Sequence, residues 1–383
     1  MVKIPKFEYL TYLFMEDLHH QFPAIQKQCY LGTASSGLLS QDLFNWRKQH
    51  ELDLITNGAN YHAGKLIIEN TRASVARFFD AQEDQVALVP NFSYGFNAVL
   101  EGLPQGQKVL VLANDYPSLI WPLETRDFNM CYVSITEKLE QAIADAFSKH
   151  KPDVFAFSIV QWLTGIKIDF NFLKQLKSQY PQVLFMADGT QYLGTEHFSF
   201  KDSPIDVLGA SCYKWLLAGF GTGVMMINPK AQQRIVPSTI GFNSAATFDS
   251  KLLQTRFVKH FEPGHQDTFN FGTLHQAILQ AERYGIEAIS KKISTLSSYA
   301  KERFVALELL DDATKNRNTH SSIFNFKADQ QIFEHLKSHK IICSPRGGGV
   351  RVSFHYYNTK EDVDTLFEVI KLSIWNVYYS FIT

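Results

Sequence analysis

Between residues 65 and 227 the chain alternates short, continuous apolar runs with longer stretches whose apolar residues recur every three or four positions. The runs are VALV (86–89), KVLVL (108–112), MCYVSI (130–135), DVFAFSI (153–159), VLFMA (183–187), DVLGA (206–210) and GVMMI (223–227). Strands that are apolar on both faces belong inside a mostly parallel sheet. The stretches between them, SYGFNAVLEGL, SLIWPLETRDF, TEKLEQAIADAFSKH and DFNFLKQLKSQY, have helical spacing. The alternation predicts an α/β fold, a large domain whose sheet is covered by helices. After about residue 275 the pattern changes to a long helical stretch, SSIFNF, a helix DQQIFEHLKSHK, the strand pair IICS and GVRVSFH, and a last helix from Thr359. This predicts a smaller α+β C-terminal domain. The expected division is an N-terminal segment over 1–28 packing on the small domain, a large domain over 29–274 and the small domain over 275–383.

Composition narrows the partners. With 383 residues, 45% of them apolar and 14% aromatic, the chain can fill two cores. A formal net charge of -1 provides no overall field for nucleic acid or an anionic membrane, so a small, locally recognised molecule is the expected partner. The four cysteines, Cys29, Cys131, Cys212 and Cys343, are far apart and form no CxxC pair, which fits a reducing compartment. The first twenty residues lack the pattern of a secretory signal, and no apolar run reaches the ~18 residues of a membrane span. A soluble cytoplasmic protein is expected. HExxH, clustered Cys/His spacing, GxSxG and Walker A patterns are missing, so no metal site is expected, and GFGTGV lacks the spacing of a dinucleotide fingerprint.

Candidate chemistry starts at the end of VLFMA, where Asp188, Gly189, Thr190 and Gln191 follow a buried strand. Ligands of open α/β sheets bind outside the carboxyl ends of the strands. Alone, Asp-Gly is ordinary turn chemistry. Lys214 stands in the apolar, glycine-rich run SCYKWLLAGFGTG (211–223). Desolvation favours its neutral amine, which can attack a carbonyl to form a Schiff base, although a lone lysine can instead snorkel to water. Pyridoxal phosphate needs such a lysine together with a carboxylate that keeps its ring nitrogen protonated, and Asp188 supplies one. Ser93 stands near the start of the helix in VPNFSYGFNAVLEGL, as a plain N-cap or as a phosphate ligand, and Ser211 precedes the lysine by three residues. In SPRGGGVRVSFH, Arg346 and Arg351 could grip a carboxylate through paired hydrogen bonds; Arg351 could equally face solvent from an alternating strand.

Together these motifs resemble the class V aminotransferase family of fold-type-I pyridoxal-phosphate enzymes, which includes cysteine desulfurases, selenocysteine lyases, isopenicillin N epimerases and kynureninases. The resemblance runs from YLGTASSGLL through DGTQ, SCYKWLLAGFGTG and FNFGT to RVSFHYYNTKEDVD, over most of the chain. It implies pyridoxal 5'-phosphate as cofactor, Lys214 as the Schiff-base lysine and Asp188 as partner of the ring nitrogen. Gln191 would bond the ring hydroxyl oxygen, and Ser93, Ser211 and the backbone of Phe92 would hold the phosphate. Tyr116 would stack on the ring or be an ordinary loop aromatic. Gly272 and Thr273 would reach the phosphate of a neighbouring subunit, implying a homodimer with shared sites. Arg351 would bind the substrate carboxylate, with Arg346 and Trp162 beside it.

The chain departs from the desulfurases. The interval between IICS and Arg351 is only PRGGGV, with no room for a mobile loop bearing a reactive cysteine, and Cys343 is expected to be a buried structural thiol. Tyr213 replaces the histidine common before the lysine, and Trp162 stands where desulfurases carry an asparagine. The expected function is an aminotransferase or epimerase acting at the α-carbon of a small amino acid. The alternatives are a C–S lyase like the cysteine desulfurases, a kynureninase-like hydrolase and, last, a non-enzymatic module that only binds the cofactor.

Overall fold

The computed structural model of the protein describes residues 18–244 and 256–380, the last seven of these by backbone alone. Among the described residues the strands are β1 (Cys29–Tyr30), β2 (Val86–Val89), β3 (Lys108–Leu112), β4 (Asn129–Val133), β5 (Val154–Ser158), β6 (Leu184–Asp188), β7 (Val207–Ser211), β8 (Gly223–Ile227), β9 (Ile323–Phe326), β10 (Ile341–Ile342), β11 (Ser344–Arg346) and β12 (Gly349–Ser353).

Because successive side chains leave a strand on opposite faces, the continuous apolar runs feed two cores at once. Leu110, Leu112, Phe155, Phe157, Phe185 and Ala187 join one cluster. Val109, Val111, Val154, Ala156, Leu184 and Met186 join the other. Helices Tyr61–Phe78, Leu139–His150, Phe170–Gln179 and Thr268–Tyr284 close the phenylalanine-rich face, and Phe92–Glu101 and Pro117–Glu124 close the aliphatic one.

The seven strands run in the order β2-β8-β7-β6-β5-β3-β4. β8 is antiparallel to both β2 and β7, and the other neighbours are parallel, so the mostly parallel sheet expected from the pattern is present. β4 stops at Val133, short of residue 135, because its neighbour β3 ends at the paired Leu112. No helix among the described residues is long and apolar enough to cross a membrane.

The C-terminal stretch has its own core around a second sheet, ordered β11-β12-β9 and antiparallel throughout, which Ile286–Ala306, Gln330–Ser338 and Lys360–Ser380 cover. IICS is not one strand. Ile341 and Ile342 pair with Cys29 and Tyr30 of β1, and after Cys343 the chain turns to pair with β12 instead. The expected division between residues 274 and 275 falls inside the helix Thr268–Tyr284, and the chain breaks at Gly285, whose φ of 82° suits glycine. Of the segment 1–28 only 18–28 lie among the described residues. There Phe22 packs its ring 5.2 Å from Tyr357 and 6.0 Å from Tyr356.

Candidate active site

From β3 the chain moves outward to the edge strand β4 and then returns on the other side of β3 as β5, so the strand order reverses between β3 and β5. Such a switch point leaves a crevice at the carboxyl ends of the strands. Asp115 follows β3, and Ser158, Asp188 and Ser211 are the last residues of β5, β6 and β7. Four polar residues therefore gather there because four strands end there.

Asp188 and Lys214 are each about 5% exposed. Burial pushes the Asp188 carboxyl above its ordinary range, opposed by hydrogen bonds from Thr190 and by the charge of Lys214. Thr190 N donates to its Oδ1 at 2.8 Å. Burial also pushes the Lys214 amine down; Asp188 opposes this shift, whereas Arg351 and Arg346 reinforce it. The lysine is thus made easier to deprotonate, the property the sequence suggested. Its Nζ lies 5.4 Å from the centroid of the Tyr116 ring and 5.8 Å from that of Tyr213. The turn carrying it packs on the YLGTASSGLL segment: Gly37 N donates to Tyr213 O at 2.9 Å. A Cβ at Gly37 would stand 2.2 Å from Lys214 O, so only glycine fits. Beyond the lysine, Leu217, Gly219 and Gly221 hold φ of 57°, 77° and 84°, which returns the chain into β8.

Other polar groups lie close by in the fold. Gln191 accepts from Trp215 Nε1 at 2.8 Å and donates to Ala34 O at 2.9 Å, leaving one Nε2 hydrogen unspent. Asn91, not Ser93, caps the helix Phe92–Glu101, its Oδ1 accepting from Tyr94 N at 2.9 Å. Ser93 is therefore not consumed as the cap. Phe92 N donates to Ser211 Oγ at 3.0 Å, which places the helix start against the end of β7.

Opposite stand the arginines. Arg351, on β12, is 3% exposed. It donates from Nη1 to Trp162 O and from Nη2 to Ser35 Oγ, each at 2.7 Å, while its buried Nε meets no acceptor among the described residues. Burial lowers it to about 10, helped by the like charge of Arg346. The carbon centres of the Arg346 and Arg351 guanidiniums lie 6.0 and 5.9 Å from the centroid of the Trp162 ring. That ring meets Tyr116 edge-on, with centroids 5.7 Å apart.

Gly272 and Thr273 belong to the later segment FNFGT. Both lie within the helix Thr268–Tyr284, where Thr273 Oγ1 donates to Phe269 O at 2.7 Å and accepts from Arg47 Nε at 3.0 Å. A Cβ at Gly272 would meet Trp46 at 2.1 Å, so its glycine serves helix packing.

Several residues at the site lie outside the sequence expectations. Asp115, 4% exposed, accepts from Tyr116 N at 2.7 Å and from Ser158 N and Oγ at 2.8 and 2.6 Å. Its position after β3 obeys the same strand-end logic as Asp188 and could have been found by it. Ser35 and His355 could not, since their partners are distant in sequence. The fully buried ring of His355 stacks on Trp215, with Nε2 3.0 Å from Trp215 O. Burial lowers it to about 3, so it is neutral and Nε2 carries the donated hydrogen.

With this geometry in place, the relatives can be compared. The sequence model of the family described as aminotransferase class-V matches residues 56–366. The chain is 22% identical over 360 residues to an uncharacterized aminotransferase, YcbU, of Bacillus subtilis (strain 168), covering 91% of this chain and 95% of that one. It is 23% identical over 392 residues to a probable cysteine desulfurase of Pyrococcus abyssi (strain GE5 / Orsay), with 93% and 96% covered. Among solved structures it resembles an apo cysteine desulfurase from Thermococcus onnurineus NA1 with a TM-score of 0.81 and 20% identity, over 93% of this chain and 96% of that one. At that identity the likeness establishes the fold.

Proposed function

The chain belongs to the aminotransferase class-V family, and from that premise we propose that it acts at the α-carbon of a small amino acid, as an aminotransferase or epimerase, with pyridoxal 5'-phosphate held at Lys214. The family is one of pyridoxal-phosphate-dependent enzymes, and the donor set fits the group. A buried carboxylate, Asp188, suits a protonated ring nitrogen, and the spare Nε2 hydrogen of Gln191 suits the ring hydroxyl oxygen. Ser93, Ser211 and the Phe92 helix start suit the phosphate. The observation that carries the reading is the buried Lys214 amine, lowered by burial and set at the strand ends beside Asp188.

Bound there, pyridoxal phosphate supplies an electron sink for the α-carbon. Arg351 would then hold the substrate carboxylate through its unpartnered Nε and redirected Nη groups. Lys214 Nζ would take the α-proton and return it. Asp188 would keep a proton on the ring nitrogen, and the Tyr116 and Trp162 rings would exclude water.

The test is reductive trapping. Purified holoenzyme treated with borohydride and digested should carry the pyridoxyl mass on the peptide containing Lys214, and Lys214→Ala should carry none. Trapping at another lysine, or none after loading with the cofactor, would sink the proposal. An amino-acid panel with keto-acid, sulfide and alanine products measured then separates the reactions.

A second reading, a C–S lyase of the desulfurase type, is favoured by the names of several relatives. Against it, burial pushes the Cys343 thiol up to about 12, and the Gly347–Gly348 turn leaves no loop to carry a reactive cysteine. Sulfide as the main product would decide for it. We also propose a cytoplasmic homodimer and a small C-terminal unit over residues 275–383.

A further inference from the structure

We infer that the substrate carries a second anionic group, bound by Arg346, so that the amino acid taken here is an acidic one of the aspartate or glutamate class. The inference rests on the reading of Arg351 as the α-carboxylate site and deepens it.

The two arginines are parts of one rigid hairpin. Gly347 and Gly348, with φ of 60° and 73°, make the turn between β11 and β12, where Arg346 pairs with Gly349 and Arg351 with Ser344. The tip is seated: a Cβ at Gly347 would stand 2.4 Å from Leu163, the neighbour of Trp162. Asn325 Nδ2 donates to Arg346 O at 2.9 Å and ties the turn to β9. Both guanidiniums are thereby held within 6.0 Å of the same indole. The described ion pairs engage Arg72, Arg77, Arg283, Arg303 and Arg317, each with a carboxylate, but neither Arg346 nor Arg351.

Two like charges against one ring, with no carboxylate partner among the described residues, repel each other. A monocarboxylate neutralises one of them and leaves the other; a dianion neutralises both. Depth assigns the roles. Arg351 is buried beside the catalytic amine and would take the carboxylate on the reacting carbon. Arg346 is exposed at the hairpin tip, where a side-chain acid pointing outward would reach it.

The test uses unreactive probes, so it does not depend on turnover. Isothermal titration of the holoenzyme should show glutarate binding about 10-fold more tightly than valerate at low salt. That preference should shrink with ionic strength, because the Arg346 head is exposed. Arg346→Gln should bring glutarate down to the valerate level while valerate itself moves less than about 2-fold, and Arg346→Lys should restore part of the preference. Equal binding of the two probes by the wild type, or equal weakening of both in Arg346→Gln, overturns the inference. Arg351→Gln should weaken both probes. Unchanged valerate binding in that variant, with the fold intact by circular dichroism, would remove the Arg351 premise itself. L-glutamate against L-glutamine as substrates should repeat the contrast in KM.

Discussion

At the ends of β3 and β5, Asp115 accepts hydrogen bonds from Tyr116 N and from both donors of Ser158, whereas in the β11–β12 hairpin the Arg351 Nε meets no acceptor and Arg346 no carboxylate among the described residues. The first wall is largely satisfied from within: Gln191 is held between Trp215 and Ala34, and Ser211 holds Phe92 N. The second keeps donors in reserve. An unpaired buried donor costs free energy, so a wall that keeps one is completed by what binds there, while a satisfied wall fixes its geometry beforehand. In this site the first wall is the proposed cofactor side and the second the proposed substrate side.

The contrast can be broken at either wall. The largest effect should come from Asp188→Asn, which removes the carboxylate but little volume. A fall in kcat of about 10³-fold is expected, with borohydride trapping at Lys214 retained. A variant with near wild-type kcat would show that the buried carboxylate is not an electronic partner of the ring. Next in size, Arg351→Lys trades a planar fork for a point charge. KM should rise roughly 100-fold while trapping is unchanged, and a loss of trapping instead would mean that the two walls are not separable.

The smallest effect sharpens how the satisfied wall is held. His355 is lowered from 6.5 to about 3, so between those values the unfolded chain binds a proton that the folded protein does not. Its contribution is therefore constant above pH 6.5, and folding stability is lost as pH falls below it. From pH 6.5 to 5 that loss amounts to about 2 kcal/mol. His355→Phe should flatten this stretch of the pH–stability curve, measured by urea denaturation, while lowering stability at pH 7.5 through the lost bond to Trp215 O. An unchanged acid slope would place the acid sensitivity elsewhere.

Much of this was legible in the chain because it follows from strand ends. Asp188, Lys214 and Ser211 stand at or just past strands whose apolar runs are continuous, so locating the strands located them. Ser93 was ambiguous because a serine one residue inside a helix reads like its cap; the nearby Asn91 resolves it by taking that position. Asp115 follows β3 and was open to the strand-end reading, but Ser35 and His355 are polar residues whose partners lie 316 and 140 residues away, a separation that local periodicity does not encode. Gly272 and Thr273 matched a motif by type, and their packing against Trp46 and Arg47, more than 200 residues earlier, is beyond local periodicity.

The excursion that carries Lys214 is tied at its base, with Ser211 opposite Gly223 in the β7–β8 register and Cys212 N donating to Thr222 O at 2.9 Å. It behaves as a cassette with two unequal tolerances. A residue inserted between the two ties would shift the amine against Asp188 or push Gly219 and Gly221 off Arg47 and Asn270, whereas a changed side chain at Phe220, which is 66% exposed, alters no register. In directed evolution or loop grafting, substitutions at Phe220 should therefore survive where length changes in this cassette do not.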